Sequence, residues 1–156
     1  MFKRIMVPLD GSALAEAALP AAVTLAERFN SELILFRVVT PQHFITHIDG
    51  SVYAELLVEL RQQNSDAAYQ YLMGVKETLA DKDIAVRTVL LEDEQVAEAI
   101  LENAAKMDVD TIVMSTHGRG GISRWVYGSV ADKVLRQADM PVLLIRAAEE
   151  KEVEED

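Results

Sequence analysis

The sequence contains no cysteine among its 156 residues. This absence excludes disulfides, thiolate metal sites, iron–sulfur clusters and cysteine nucleophiles, and it fits a reducing cytoplasm. No apolar run approaches the roughly 18 residues that a membrane helix needs, and the N-terminus lacks the long apolar region and cleavage site of a signal peptide. We therefore expect a cytoplasmic protein that has no membrane partner.

Positive charge is scarce, because 15 Lys and Arg residues face 26 Asp and Glu residues, for a formal net charge of −11. Nucleic acids and anionic membranes are bound through clustered Lys and Arg. The composition therefore disfavours both partners, although it leaves room for one nucleotide held by backbone amides. Six of the acids lie in residues 147–156, which predicts an acidic, disordered tail after a domain spanning residues 1–146.

What the sequence does contain is a regular alternation of strand-like and helix-like patterns. Apolar runs typical of strands occupy residues 3–9, 33–39, 84–91, 111–114 and 141–145. Apolar residues recur at helical spacing in residues 13–29, 53–81, 94–106 and 125–137. Strands that alternate with helices form a parallel sheet, and continuous apolar runs indicate strands buried on both faces. We expect an α/β fold with one doubly wound, open, parallel five-stranded sheet and helices on both faces.

In such a sheet a ligand binds beyond the carboxyl ends of the strands, where the winding direction reverses. With strand one central, that point lies between residues 10–12 and residues 115–123. Neither loop carries the Walker motif or the Gly-x-Gly-x-x-Gly motif. Glycines at positions 118, 120 and 121, and Gly128-Ser129 near the start of the last helix, would let backbone amides approach a phosphate. The alternative is that these glycines serve only turns and close packing.

The spacing of these residues resembles the universal stress protein family, whose nucleotide-binding members carry Gly-x-x-Gly, nine residues, and then Gly-Ser/Thr. Gly118 is followed by nine residues and then Gly128-Ser129, so this half of the pattern matches. Ser115 stands where the family has its first glycine. Pro8-Leu9-Asp10, Arg37-Val38-Val39 and residues 140–146 are also similar, so the resemblance covers about residues 1–146.

The resemblance implies the strand order 3-2-1-4-5 of the adenine nucleotide alpha hydrolase-like folds. It implies ATP or AMP as ligand, with Mg²⁺ bridging the phosphates. It also implies a homodimer joined through strand five, at Val142, Leu143, Leu144 and Ile145. An apolar edge strand of this kind is prone to aggregation when it is exposed.

Site residues are implied by the same resemblance, position by position. Val38 would meet adenine through its backbone, and Pro8 would form part of the apolar wall. Asp10 would contact the nucleoside or a bound cation, while Met114 and Ser115 would face the ribose. The phosphates would be held by Gly118, Arg119, Gly128, Ser129 and Val130.

No nucleophile with a base and an orienting group is recognisable in the sequence, so we expect a regulatory or stress-response binding protein and no catalytic residues. Two alternatives stay open: a slow ATP hydrolase or phosphotransferase, and a dimerisation module that has lost nucleotide binding. Ser115 is the sequence reason for the second. His43 and His47 lie in a predicted loop without a third firm ligand, so no protein-bound metal is expected.

Overall fold

The computed structural model describes residues 1–41, 50–116 and 128–147, with residues 50–53 described by their backbone alone. Within these residues the strands are β1 (Arg4–Pro8), β2 (Glu32–Val39), β3 (Ala85–Glu92), β4 (Thr111–Thr116) and β5 (Val142–Arg146). The helices are α1 (Ala13–Glu16), α2 (Leu19–Phe29), α3 (Gly50–Thr78), α4 (Val96–Lys106) and α5 (Ser129–Gln137). No described helix is long and apolar enough to span a membrane.

The strands form one parallel sheet in the order β3-β2-β1-β4-β5. β1 lies at the centre, where Ile5 pairs with Leu33 of β2 on one side and Thr111 of β4 on the other. The winding direction therefore reverses between β1 and β4. The predicted fold class and strand order are both confirmed.

The sheet is apolar on both faces because helices cover both. Ile5 and Val7 of β1 point to the face covered by α2 and α3, where Leu72 of α3 joins the same core. Met6 points to the opposite face, where it packs with Ile100 of α4 and residues of α5. All five of these side chains, Leu72 and Ile100 included, are less than 2 % exposed. This two-sided burial explains why the strands read as continuous apolar runs.

The predicted single helix over residues 13–29 is wrong, because the chain forms two helices separated by a turn at Ala17 and Ala18. Pro20 explains the break. A proline has no amide hydrogen, and its ring clashes with the carbonyl four residues earlier, here that of Glu16. Near the start of α2 the same proline is well tolerated. The break leaves α1 as a separate four-residue helix next to the end of β1.

The last helix also begins later than the predicted residue 125. Gly128 has an extended backbone, with φ −55° and ψ 149°, and acts as the N-cap of α5. Residues 125–127 lie outside the described part of the chain. Ser129 is therefore the first helical residue, which places the predicted Gly128-Ser129 pair at the start of the helix rather than within it.

Candidate functional site

A pocket of about 240 Å³ lies at the carboxyl edge of the sheet, where β1 and β4 are neighbours. It is bounded by the ends of β1, β2 and β4 and by residues of α1, α4 and α5. The volume bounded by the described residues is just below the roughly 300–1,000 Å³ that is usual for small-molecule pockets. The pocket occupies the switch point at which ligands bind in open parallel sheets.

Eight of the ten predicted site residues line this pocket: Pro8, Asp10, Val38, Met114, Ser115, Gly128, Ser129 and Val130. The other two, Gly118 and Arg119, lie outside the described residues. The fold thus gathers residues from the ends of three strands and the start of α5 into one place.

Asp10 is held at the rim of the pocket by the residues that follow it. Its Oδ1 accepts hydrogen bonds from the backbone amide of Ser12 at 2.9 Å and from the Ser12 hydroxyl at 2.6 Å. The Ser12 oxygen in turn accepts the amide of Ala15 at 3.1 Å, which caps the N-terminus of α1. No described residue donates a hydrogen bond to Asp10 Oδ2, so this oxygen is the one that can meet a ligand hydroxyl or a cation.

Gly11 makes the turn between β1 and α1 with φ +90°, a conformation that L side chains rarely adopt. A Cβ at this position would lie 3.2 Å from Nη1 of Arg37. The Arg37 guanidinium carbon stacks 4.9 Å from the centre of the Tyr71 ring, and the Tyr71 hydroxyl donates to Glu16 Oε1 at 2.9 Å. Burial and the bond to Glu16 raise the pKa of Tyr71 above its ordinary value.

Replacing Gly11 with alanine is expected to lower the free energy of unfolding by about 1–3 kcal/mol, because a Cβ is strained at φ +90°. Chemical denaturation measures the change. Gly74→Ala is the matched control, since Gly74 lies within α3 and nothing is within 4 Å of its added Cβ. That variant should gain about 0.5–1 kcal/mol. Equal effects of the two substitutions would contradict the strained-turn explanation.

The start of α5 supplies the donors of the pocket. Its N-cap residue is Gly128, and no side chain caps the helix among the described residues. The first amides of a helix have no partner within the helix, and the helix dipole places partial positive charge there. Ser129, Val130 and Ala131 belong to this first turn and line the pocket. The arrangement suits an anion.

A partly exposed ion pair links α5 to α4. Lys133 donates to the Glu98 carboxylate, and this bond is the main cause of the lowered pKa of Glu98.

Among the described lining residues, Asp10 alone is ionisable. In this part of the pocket, an anion would therefore be held by main-chain amides and hydroxyls rather than by a cationic side chain.

The inner wall of the pocket is apolar. It is formed by Phe36 and Val38 of β2, Met114 of β4, and Val96 and Ile100 of α4. Phe36, Met114 and Ile100 are almost fully buried. This wall suits a flat aromatic group, because burial of such a group requires apolar contacts on its faces.

Sequence reasoning missed nine lining residues: Leu9, Ser12, Leu14, Ala15, Phe36, Val96, Ile100, Thr116 and Ala131. Ser12 was recognisable as an N-cap, and the helical periodicity placed Val96 and Ile100 on a buried face. Neither pattern shows that these side chains end beside a ligand-sized space.

A second depression, of about 690 Å³, lies at the opposite edge of the sheet. Arg4 in this depression is already paired, since it lies 3.1 Å from a carboxylate oxygen of Asp108 and 3.8 Å from one of Glu32. Among the described residues no three side chains form a metal-binding cluster. His43 and His47 lie outside those residues. The pocket between β1 and β4 is accordingly the candidate site.

The chain is similar to known proteins of one family over most of its length. The sequence model of the universal stress protein family matches residues 1–146. Universal stress protein MJ0531 of Methanocaldococcus jannaschii is 33 % identical over 147 residues, which cover 94 % of this chain and 83 % of that protein. Universal stress protein YxiE of Bacillus subtilis is 32 % identical over 149 residues, which cover 94 % of this chain and 100 % of that protein.

Solved structures of the same kind share the fold. UspA of Lactobacillus plantarum has a TM-score of 0.76 at 24 % identity, with 93 % of this chain and 98 % of that one covered. A universal stress protein solved in complex with cAMP has a TM-score of 0.69 at 19 % identity, covering 94 % and 98 %. A family protein of Arabidopsis thaliana solved with AMP bound has a TM-score of 0.65 at 14 % identity, covering 94 % and 93 %.

Proposed function

The chain belongs to the universal stress protein family, and on this basis we propose that it binds an adenine nucleotide, ATP or AMP, in the pocket between β1 and β4. One observation carries the proposal: the start of α5, which no described side chain caps, and an apolar wall bound the same pocket. Two structural neighbours were solved with cAMP and with AMP, which supports an adenine nucleotide. This ligand would place the chain in the ATP-binding subgroup of the family.

We propose a position for each part of the nucleotide from the chemistry of the residues that line the pocket. Adenine would lie along the apolar wall near Val38, with Pro8 at its edge. The ribose would lie near Met114 and Asp10. The phosphates would point to the first turn of α5, where Ser129 and Val130 present their amides. These positions of the base, ribose and phosphates follow from the polarity of each wall and from where each strand ends.

Mg²⁺ fits this arrangement as an ion carried by the phosphates. It prefers carboxylate and phosphate oxygens together with water, and the pocket offers it the Asp10 carboxylate. When bound, Mg²⁺ would neutralise phosphate charge beside an acidic chain. Gly118 and Arg119 stay predictions as further phosphate contacts.

Isothermal titration calorimetry tests the proposal. Titration with ATP and with AMP, each with and without Mg²⁺, should give saturable heat with one site per chain. GTP, which has the same phosphates and a different base, is the matched control and should bind more weakly. Absence of heat at millimolar ATP and AMP would overturn the proposal.

The same proposal treats the chain as a regulatory binding protein rather than an enzyme, with nucleotide state altering its shape or partners. Slow hydrolysis is tested by phosphate release from ATP. Turnover above the buffer background that disappears in Ser129→Ala would instead favour the hydrolase alternative. The cytoplasmic location stays a prediction, as does the acidic tail of residues 147–156.

We also propose that the protein is a homodimer joined through β5. This strand is the edge of the sheet next to β4. Val142, Leu144 and Ile145 are partly buried, and Leu143 is 38 % exposed. An apolar edge strand exposes unpaired backbone groups and favours pairing with another strand.

Leu143→Lys is expected to convert the dimer to a monomer, because a charge on an apolar edge strand opposes pairing. Light scattering at micromolar protein measures the molecular mass. Leu56→Lys is the matched control, since Leu56 is an exposed leucine on α3 rather than on β5. A wild-type monomer would contradict the proposal, as would a Leu143→Lys protein that stays dimeric.

A further inference from the structure

Ser115 makes a bond that connects the two sides of the pocket. It is the penultimate residue of β4, and its hydroxyl donates a hydrogen bond to the backbone carbonyl of Leu14 in α1. Ser115 and Leu14 both line the pocket, although they lie 101 positions apart in the sequence. The bond therefore ties the segment after β1 directly to the end of β4.

α1 depends on such external contacts. A four-residue helix has almost no stability of its own, because helix nucleation is unfavourable. The break at Pro20 also separates α1 from α2. The Ser12 hydroxyl caps the beginning of α1, and the Tyr71 hydroxyl of α3 bonds to Glu16 at its end. Neither of these bonds connects α1 to β4. Among the described residues, the side-chain bond that connects α1 to β4 is the one from Ser115 to the Leu14 carbonyl.

We propose that Ser115 is a positioning residue: its hydroxyl holds α1, and with it the Asp10 turn, in the nucleotide-binding position before the ligand arrives. The inference rests on the proposed function for its effect on binding. Holding a site in its bound geometry lowers the entropy lost on binding. The serine at this position therefore strengthens binding through Leu14, with its hydroxyl hydrogen directed to the carbonyl rather than to the ribose.

Ser115→Ala tests the inference in two ways. Calorimetry with ATP and Mg²⁺ should show binding weakened by about 2- to 10-fold, the usual effect of one lost hydrogen bond. Hydrogen exchange of the ligand-free protein should show faster exchange at the amides of Ala15, Ala17 and Ala18, which are bonded within the α1 segment. Ser115→Thr keeps the hydroxyl and suits a strand, so it should restore both measurements.

Ser31→Ala is the matched control. The Ser31 hydroxyl also donates to a backbone carbonyl, that of Phe2, but at the opposite edge of the sheet. Its loss should lower stability while leaving nucleotide affinity and exchange in α1 unchanged. Equal weakening of binding by Ser31→Ala and Ser115→Ala would overturn the inference, because the effect would then follow from general stability.

Unchanged affinity in Ser115→Ala would overturn the inference as well, whether or not exchange in α1 becomes faster. If the wild-type protein binds no nucleotide, the proposed function fails. The exchange experiment then decides alone whether Ser115 holds α1. Unchanged exchange in that case would remove the positioning role too.

Discussion

Replacing Val38 with tryptophan is expected to abolish adenine nucleotide binding while leaving the fold intact. Val38 is partly buried at the carboxyl end of β2, and its side chain lines the apolar wall of the 240 Å³ pocket. The larger indole would occupy the space proposed for adenine. An aromatic residue is well accepted in a strand, so thermal unfolding should change little. Calorimetry with ATP and Mg²⁺ should give no saturable heat.

Val39→Trp is the matched control for this substitution. Val39 is the next residue of the same strand and is also partly buried. Its side chain points to the other face of the sheet, because successive side chains of a strand alternate, and it does not line the pocket. Val39→Trp should bind nucleotide like the wild type. Retained binding in Val38→Trp would show that the base does not lie against β2.

The sheet was predictable because each strand carries a local pattern that its buried position demands. Residues 33–36 of β2 are apolar without interruption, and all four are fully buried between the two helical layers. Alternating strands and helices leave few arrangements for such a chain, since parallel connections need a helix between strands. Strand order came from resemblance, and the structure confirms it.

Helix ends and faces were less predictable, because periodicity does not show where competing local effects act. Phe29 continues the apolar spacing of residues 14, 18, 21 and 25, yet it is 53 % exposed. Ala22, Val23 and Ala26 are buried, as is Ala18 of the predicted face. Leu25, on the predicted face, does pack against the core, so the apolar spacing is misleading mainly at Phe29, the last residue of α2. Pro20 within the helical pattern was the sequence feature from which the break could have been predicted.

The site was predictable to the extent that it uses strand ends. Asp10 and Met114 lie in the pocket because β1 and β4 are neighbours, which follows from the strand order alone. The bond from Ser115 to Leu14 could not be predicted, since it depends on α1 being a separate helix that packs against the end of β4. Val96 and Ile100 were missed for the same reason: their position depends on how α4 packs.

Replacing Ser129 with proline is expected to weaken the binding of AMP and ATP by about 10- to 150-fold, because it removes a backbone donor to a charged group. Ser129 is the first residue of α5, where proline is favoured and its missing amide hydrogen has no partner within the helix. Gly128 has the extended backbone that a residue before proline prefers. Stability should therefore change by less than about 1 kcal/mol.

Two comparisons separate the amide of Ser129 from its hydroxyl and from the rest of the site. Ser129→Ala removes only the hydroxyl and should weaken binding less than proline does. Adenosine lacks phosphate, so the proline variant should bind it like the wild type. If Ser129→Pro weakened adenosine and AMP equally, the substitution would be disturbing the apolar wall. If it weakened neither, the phosphates would not lie at the start of α5, and the principal observation behind the proposed function would lose its force.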